Sequence, residues 1–261
     1  GFVLIEASYG IYAGSMALLA DAGHNLSDVL SLLIAWGGAI LSQRRAAGRY
    51  TYGLRASSIL AAFLNALLLL VALAVIAVEA IHRLADPAPV AGGLVMAVAS
   101  VGIVVNGGTA LMFMRGRHGD LNVRGAFLHM AADAAISAGV VLAGLAILET
   151  GLPWIDPAVS LVIVAVIATG TWRLLRDSID MSLQAVPPGI DPTEIEHFLR
   201  GRDGVEDIHD LHIWPMSTTE TALTAHLVVP AGYPGDQCVA DIAESLRKAF
   251  AIDHATIQIE V

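Results

Sequence analysis

Two four-residue intervals inside apolar sequence hold the residue types best suited to chemistry. One is His24 to Asp28, in ALLADAGHNLSDVLSLLIAW; the other is His129 to Asp133, in GAFLHMAADAAISAGVVLAG. Each is H-x-x-x-D, so on a helix the imidazole and the carboxylate leave one face about 40° apart. A single such pair is commonly no more than a hydrogen-bonded couple. Two of them on packed helices offer two imidazoles and two carboxylates, a ligand set suited to tetrahedral Zn²⁺. Isolated in hydrocarbon, each polar group costs several kcal/mol unless it is paired or coordinated. The repetition therefore favours a metal site, with a buried polar cluster that locks helices together as the competing reading.

The surroundings of these residues are those of a membrane protein. The chain has 261 residues, of which 56% are hydrophobic and only 15% charged, with a mean hydropathy of +0.69. A soluble domain averages about 25% charged residues. A net charge of −10 argues against nucleic acid as a partner. The single Cys238 excludes an intramolecular disulfide framework and a cysteine-rich zinc site. The opening stretch has no basic leader region and does not read as a signal peptide.

Six spans organise the hydrophobic part. Residues 2–14 are too short for a full crossing and read as the remainder of a first helix. Residues 17–42, 56–80, 91–114 and 125–148 follow as spans two to five. Asp156-Pro157 opens a sixth, to about residue 172. Arg44, Arg45, Arg49 and Arg55 lie in the loop after span two, and Arg115, Arg117 and Arg124 in the loop after span four. The alternate loops hold only Arg83, so basic-residue asymmetry puts the arginine loops and the tail in the cytoplasm. His24 then lies deeper in its span than His129. The two pairs can meet only if span five begins nearer Asn122. Asp156 reads as the cap of its own helix, and Asp21 as either a partner of the metal ligands or a cap of span two.

From residue 183 the composition is that of a soluble domain. Asp191-Pro-Thr-Glu carries an N-cap, a proline at the first helical position and an acid in the first turn. Residues 207–214, 222–229 and 255–261 read as strands, and residues 238–250 as an amphipathic helix. The order α-β-β-α-β predicts a small sheet with helices on one side. Such a small core would gain from dimerisation.

With these residues the chain resembles the cation diffusion facilitator family of divalent-metal exporters, zinc type. The resemblance rests on GSMALLADAGHNLSD, YTYGLRASSILAAFLNALLLL, DLNVRGAFLHMAADAAISAGV, IDPAVSLVI and HDLHIWPMSTTETALTAHLVV. It implies an all-α six-span transmembrane domain (1–182) followed by an α+β ferredoxin-like cytoplasmic domain (183–261) that dimerises. It implies a homodimeric antiporter in the bacterial inner membrane that exports Zn²⁺ in exchange for protons. Its transport site would be His24, Asp28, His129 and Asp133. In some relatives the first ligand is Asp, which goes with broader metal use; His24 here implies zinc preference. Some bacterial relatives also bind metal in the tail, where His209, His226 and Glu260 match. Gln237 and Gln258 stand where those relatives have His, and the alternative is a polar sheet face without metal. His197, His212 and His254 read as surface or strand residues.

Other readings remain beside this one. The same fold could export Cd²⁺, Co²⁺, Mn²⁺, Fe²⁺ or Ni²⁺, because ligand affinity alone does not fix the physiological metal. A membrane metalloenzyme would need an open coordination position and a base, whereas four protein ligands fill a tetrahedron and no H-E-x-x-H is present. A metal sensor without transport is the third class. The sequence calls for no organic cofactor.

Overall fold

The computed structural model describes residues 1–42, 47–114 and 121–261. Arg44, Arg45, Arg115 and Arg117, which set the predicted orientation, lie outside the described residues, as does His118. Six helices come first: α1 (Phe2–Ala13), α2 (Met16–Ser42), α3 (Ser57–Ala85), α4 (Gly92–Phe113), α5 (Leu121–Thr150) and α6 (Ile155–Ser182). Among the described residues, four stretches are long and apolar enough to cross a membrane: Ser57–Ala85, Gly92–Phe113, Phe127–Thr150 and Ile155–Ser182. Helix α5 begins two turns before His129, close to the earlier start that the sequence required. Leu68, Val104, Leu142 and Val162 are exposed on these helices, as expected where the surrounding solvent is hydrocarbon.

The chain forms two compact units, Gly1–Leu30 with Ala66–Trp172, and Ser31–Asn65 with Arg173–Val261. In the first, Ala17, Leu18 and Ala20 of α2 pack with Leu69 and Leu73 of α3, Val95 and Ala99 of α4, Val140 of α5 and Ile163 of α6. The small residues let helices approach closely where lipid supplies no hydrophobic drive for association. Helices α4 and α5 show this most directly. A Cβ at Gly92 would stand 2.8 Å from the Gly144 carbonyl oxygen, and one at Gly144 would stand 2.9 Å from that of Gly92. Gly14 ends α1 with φ of 65°, a left-handed conformation that glycine adopts without a Cβ penalty. Its carbonyl accepts from Arg83 Nη1 at 2.5 Å.

The start of α2 is fixed by an acid distant in sequence. Asp156 accepts from the Met16 N–H at 2.6 Å and from the Ser15 hydroxyl, while Ser15 Oγ accepts from the Leu18 N–H at 3.1 Å. Asp156 was expected to cap its own helix. It sits inside the first turn of α6 and instead satisfies the free N–H groups of α2.

The second unit holds the tail: α7 (Pro192–Arg200), β1 (Asp207–Pro215), β2 (Thr221–Val228), α8 (Asp236–Phe250) and β3 (His254–Glu260). Asp191 caps α7, accepting from the Thr193 N–H at 2.8 Å. The strand order is β1-β2-β3, with β1 antiparallel and β3 parallel to β2. Ile195 and Leu199 of α7 and Ile242 and Leu246 of α8 bury one sheet face with Ile213, Leu223, Ala225 and Leu227. Strand alternation leaves the other face polar. Before α3, Arg55 joins this unit, pairing with Glu220 at 3.2 Å and meeting His254 Nε2 at 2.9 Å.

Candidate metal centre

Helices α2 and α5 bring the two predicted pairs together. His24 Nε2 lies 3.8 Å from Asp28 Oδ2 and 3.2 Å from Asp133 Oδ1. His129 Nε2 lies 3.4 Å from Asp28 Oδ2 and 3.7 Å from Asp133 Oδ2. The four side chains thus alternate imidazole and carboxylate, with Asp133 meeting His24 through Oδ1 and His129 through Oδ2, and the ligand atoms of His24, Asp28 and Asp133 lie within 4.8 Å of one another. Around tetrahedral zinc, bonds of about 2.0–2.1 Å put neighbouring donors roughly 3.3 Å apart. The observed edges straddle that value. The two imidazole rings stand edge to face, with centroids 6.2 Å apart.

Exposure is graded across the ring. The Asp133 side chain is 2% exposed, that of His24 17% and that of Asp28 27%, while that of His129 is 46% exposed. The cluster therefore has a closed end at Asp133 and an open edge at His129. Each imidazole lies within 3.8 Å of both carboxylates. Asp21, one turn before His24, is fully buried and accepts from Ser137 Oγ at 3.0 Å, so it does not cap α2.

A second group of donors sits on the polar sheet face. Register aligns His209 with His226 and His226 with Gln258. Glu260 lies between both imidazoles, with Oε2 2.9 Å from His209 Nε2 and Oε1 2.9 Å from His226 Nδ1. The His209 imidazole beside it, chief among its neighbours, holds the Glu260 carboxyl below the usual carboxylate range. Gln258 Nε2 donates to Glu260 Oε1 at 2.9 Å, whereas Gln237 pairs with Asp241 on α8. Sequence reasoning missed Asp210. The register shifts between His209 and His212, and Asp210, with φ of 49°, brings its carboxylate to 3.8 Å from His209 and 3.9 Å from His226. Glu6 was missed too, although an acid within an apolar run is itself a signal.

A helical domain fit for a bilayer, carrying a cluster of two imidazoles and two carboxylates and followed by a small α+β domain, fits a membrane carrier for metal ions. The chain belongs to the cation efflux family, also called the cation diffusion facilitators: residues 1–181 match the cation efflux transmembrane domain. Residues 187–261 match the cytoplasmic domain of cation efflux proteins. It is an integral membrane efflux transporter with its C-terminal domain in the cytoplasm, and not an enzyme. It is 37% identical to the zinc transporter ZitB of Escherichia coli, over all of this chain and 83% of that protein. It is 35% identical to a cadmium, cobalt and zinc/H⁺-K⁺ antiporter of Bacillus velezensis, over all of this chain and 84% of that protein. The metal cation efflux system protein CzcD of Cupriavidus metallidurans is 34% identical, over all of this chain and 83% of that protein. The solved metal-bound C-terminal domain of a CzcD transporter is 34% identical, covering 28% of this chain and all of that one, with a TM-score of 0.26.

Proposed function

We propose that this chain exports Zn²⁺ from the cytoplasm in exchange for protons, with His24, Asp28, His129 and Asp133 as the transport site. The observation that carries the reading is the alternating ring of two imidazoles and two carboxylates, with edges of 3.2–3.8 Å. Two carboxylates balance a dication, and two borderline nitrogen donors favour zinc over harder ions. The printed names of the relatives, a zinc transporter and a cadmium, cobalt and zinc antiporter, support the same substrate class and extend it to Cd²⁺ and Co²⁺. Residues 1–182 serve as the transmembrane domain and residues 183–261 as a domain for dimerisation and regulation, in a homodimer of the bacterial inner membrane.

Proton exchange follows from ligand chemistry. Imidazole and carboxylate bind metal only when deprotonated, so loading releases protons and reprotonation expels the ion. In the cytoplasmic domain His209, His226 and Glu260 supply three donors for a regulatory ion, with Asp210 beside them.

The test is flux in proteoliposomes, recording Zn²⁺ and internal pH together. Zn²⁺ movement should be matched by opposite proton movement, and an imposed pH gradient should change its rate. Zn²⁺ flux indifferent to the gradient would overturn antiport. Wild-type flux in folded Asp28→Ala and Asp133→Ala proteins would overturn the site.

A further inference from the structure

A hydrogen bond that touches none of the four proposed ligands joins the two helices that carry them. Ser137 Oγ of α5 donates to Asp21 Oδ2 of α2 at 3.0 Å, and both residues are 0% exposed. Asp21 precedes His24 by one helical turn, and Ser137 follows Asp133 by one turn. The bond therefore springs from the same helix faces as the His24–Asp133 contact. That contact, at 3.2 Å, is the shortest edge of the ligand ring. The opposite edge, His129 to Asp28, lies at 3.4 Å between side chains 46% and 27% exposed. Helix α4 backs the bond from behind. A Cβ at Gly102 would stand 2.8 Å from Ser137 Oγ and 3.3 Å from Ser137 Cβ, so the bare backbone there is what leaves the hydroxyl its room. In lipid, apolar burial sets no preferred spacing between helices; close contacts between small residues and interhelical hydrogen bonds set it instead.

We propose that Asp21 and Ser137, with Gly102 behind them, are positioning residues that fix the spacing of α2 and α5 at the transport site and thereby favour Zn²⁺ over the larger Cd²⁺. This rests on the reading of His24, Asp28, His129 and Asp133 as that site. A cation larger than Zn²⁺ needs a longer bond to every donor, and so longer distances between the donors themselves. His24 and Asp133 stand one turn from the Asp21–Ser137 bond. Lengthening their edge means moving α2 away from α5 against that bond and against the packing of α4 on Ser137. Close-packed interiors resist such displacement, and the smaller ion fits without it. The His129–Asp28 edge is farther from the bond and more exposed, and it adjusts more freely. Selection of this kind adds to the preference that imidazole nitrogen confers. It has a separate cause, since cutting the bond changes no donor atom.

Competition between ZnCl₂ and CdCl₂ for flux in proteoliposomes of the full chain tests this, because the ratio of the two fluxes does not depend on how much protein is active. Ser137→Ala removes the donor and leaves every proposed ligand in place. Its preference for Zn²⁺ should fall by about tenfold, the lower end of what loss of an outer partner does to a metal site. Asp21→Ala should do the same, and the double variant should be no worse than either alone, as one shared interaction requires. Asp21→Asn keeps an oxygen that accepts from Ser137 and should retain most of the preference. A wild-type ratio in Ser137→Ala, or equal loss of both fluxes, would overturn the proposal. So would Asp21→Asn matching Asp21→Ala, which would assign the effect to charge. If the Asp21 variants do not fold, Ser137→Ala, which deletes a single oxygen, decides alone. Failure of the underlying reading is distinguishable: Zn²⁺ flux would then survive Asp28→Ala with Asp133→Ala, and this inference would fall with it. A wild-type ratio in Ser137→Ala beside lost flux in those variants strikes this inference only.

Discussion

His24 Nε2 and Asp133 Oδ1, 109 residues apart in sequence, lie 3.2 Å from one another across α2 and α5. That contact closes the donor ring at its buried end. In the proposed transport site Asp133 would therefore be the ligand least replaceable by water. Asp133→Ala should reduce Zn²⁺ flux by more than the roughly 10–100-fold that loss of an outer-sphere partner costs. Asp28→Ala, at a more open corner, should also abolish most transport. Vesicle uptake with purified, folded protein is the measurement, and near-normal flux in Asp133→Ala would contradict the ring as the transport site.

Metal choice should respond to the nitrogen donors. His24→Asp replaces a borderline ligand by a hard oxygen, so Cd²⁺ or Mn²⁺ transport should rise relative to Zn²⁺. Competition between the metals in one vesicle preparation reads the ratio. An unchanged ratio would place selectivity in geometry rather than donor type.

The close approach of α4 and α5 should be sensitive to a single methyl group. Gly92→Ala would set a Cβ 2.8 Å from the Gly144 backbone oxygen, a contact that only helix displacement can relieve. The expected cost is about 1–3 kcal/mol, read as a lower unfolding temperature in detergent. Gly93→Ala, whose nearest neighbour would be 4.0 Å away at the tip of Leu148, serves as the control and should change little.

The tail carries a pH-dependent contact away from its donor cluster. The Ile208 backbone N–H, and then the Arg200 guanidinium at 3.0 Å, hold the Asp207 carboxyl below its usual range. A folded-state value below the unfolded one stabilises above the unfolded carboxylate range, and the contribution is lost as pH falls through the folded value. Asp207→Asn should therefore weaken hydrogen-exchange protection at the start of β1 at neutral pH. The pair is exposed, so the effect should stay within about fivefold. The difference from wild type should close in acid; a gap that persists there would assign the effect to packing.

Much of this architecture follows from spacing alone. The i, i+4 interval puts His24 with Asp28 and His129 with Asp133 on common helix faces, and alternation in residues 222–229 separates a buried from a polar sheet face. Asp191-Pro192 marks a helix start, because its chemistry is local. These features depend on residues within a turn or a few strand positions of one another, and such neighbours are fixed as soon as the secondary structure forms.

Tertiary structure decided the rest. That α2 and α5 face each other at matching depth, that Asp156 caps α2 rather than α6, and that Glu6 meets Asn25 all depend on how apolar helices pack. Hydrophobic periodicity says that a face is buried but not against what, since burial is non-directional. Close packing at Gly92, Gly144 and Gly102 selects one arrangement. The Asp210 bulge turns on a register shift between two strands, which neither strand alone specifies. Long-range polar partners are chosen by where packing leaves them, and no interval along the chain encodes that choice.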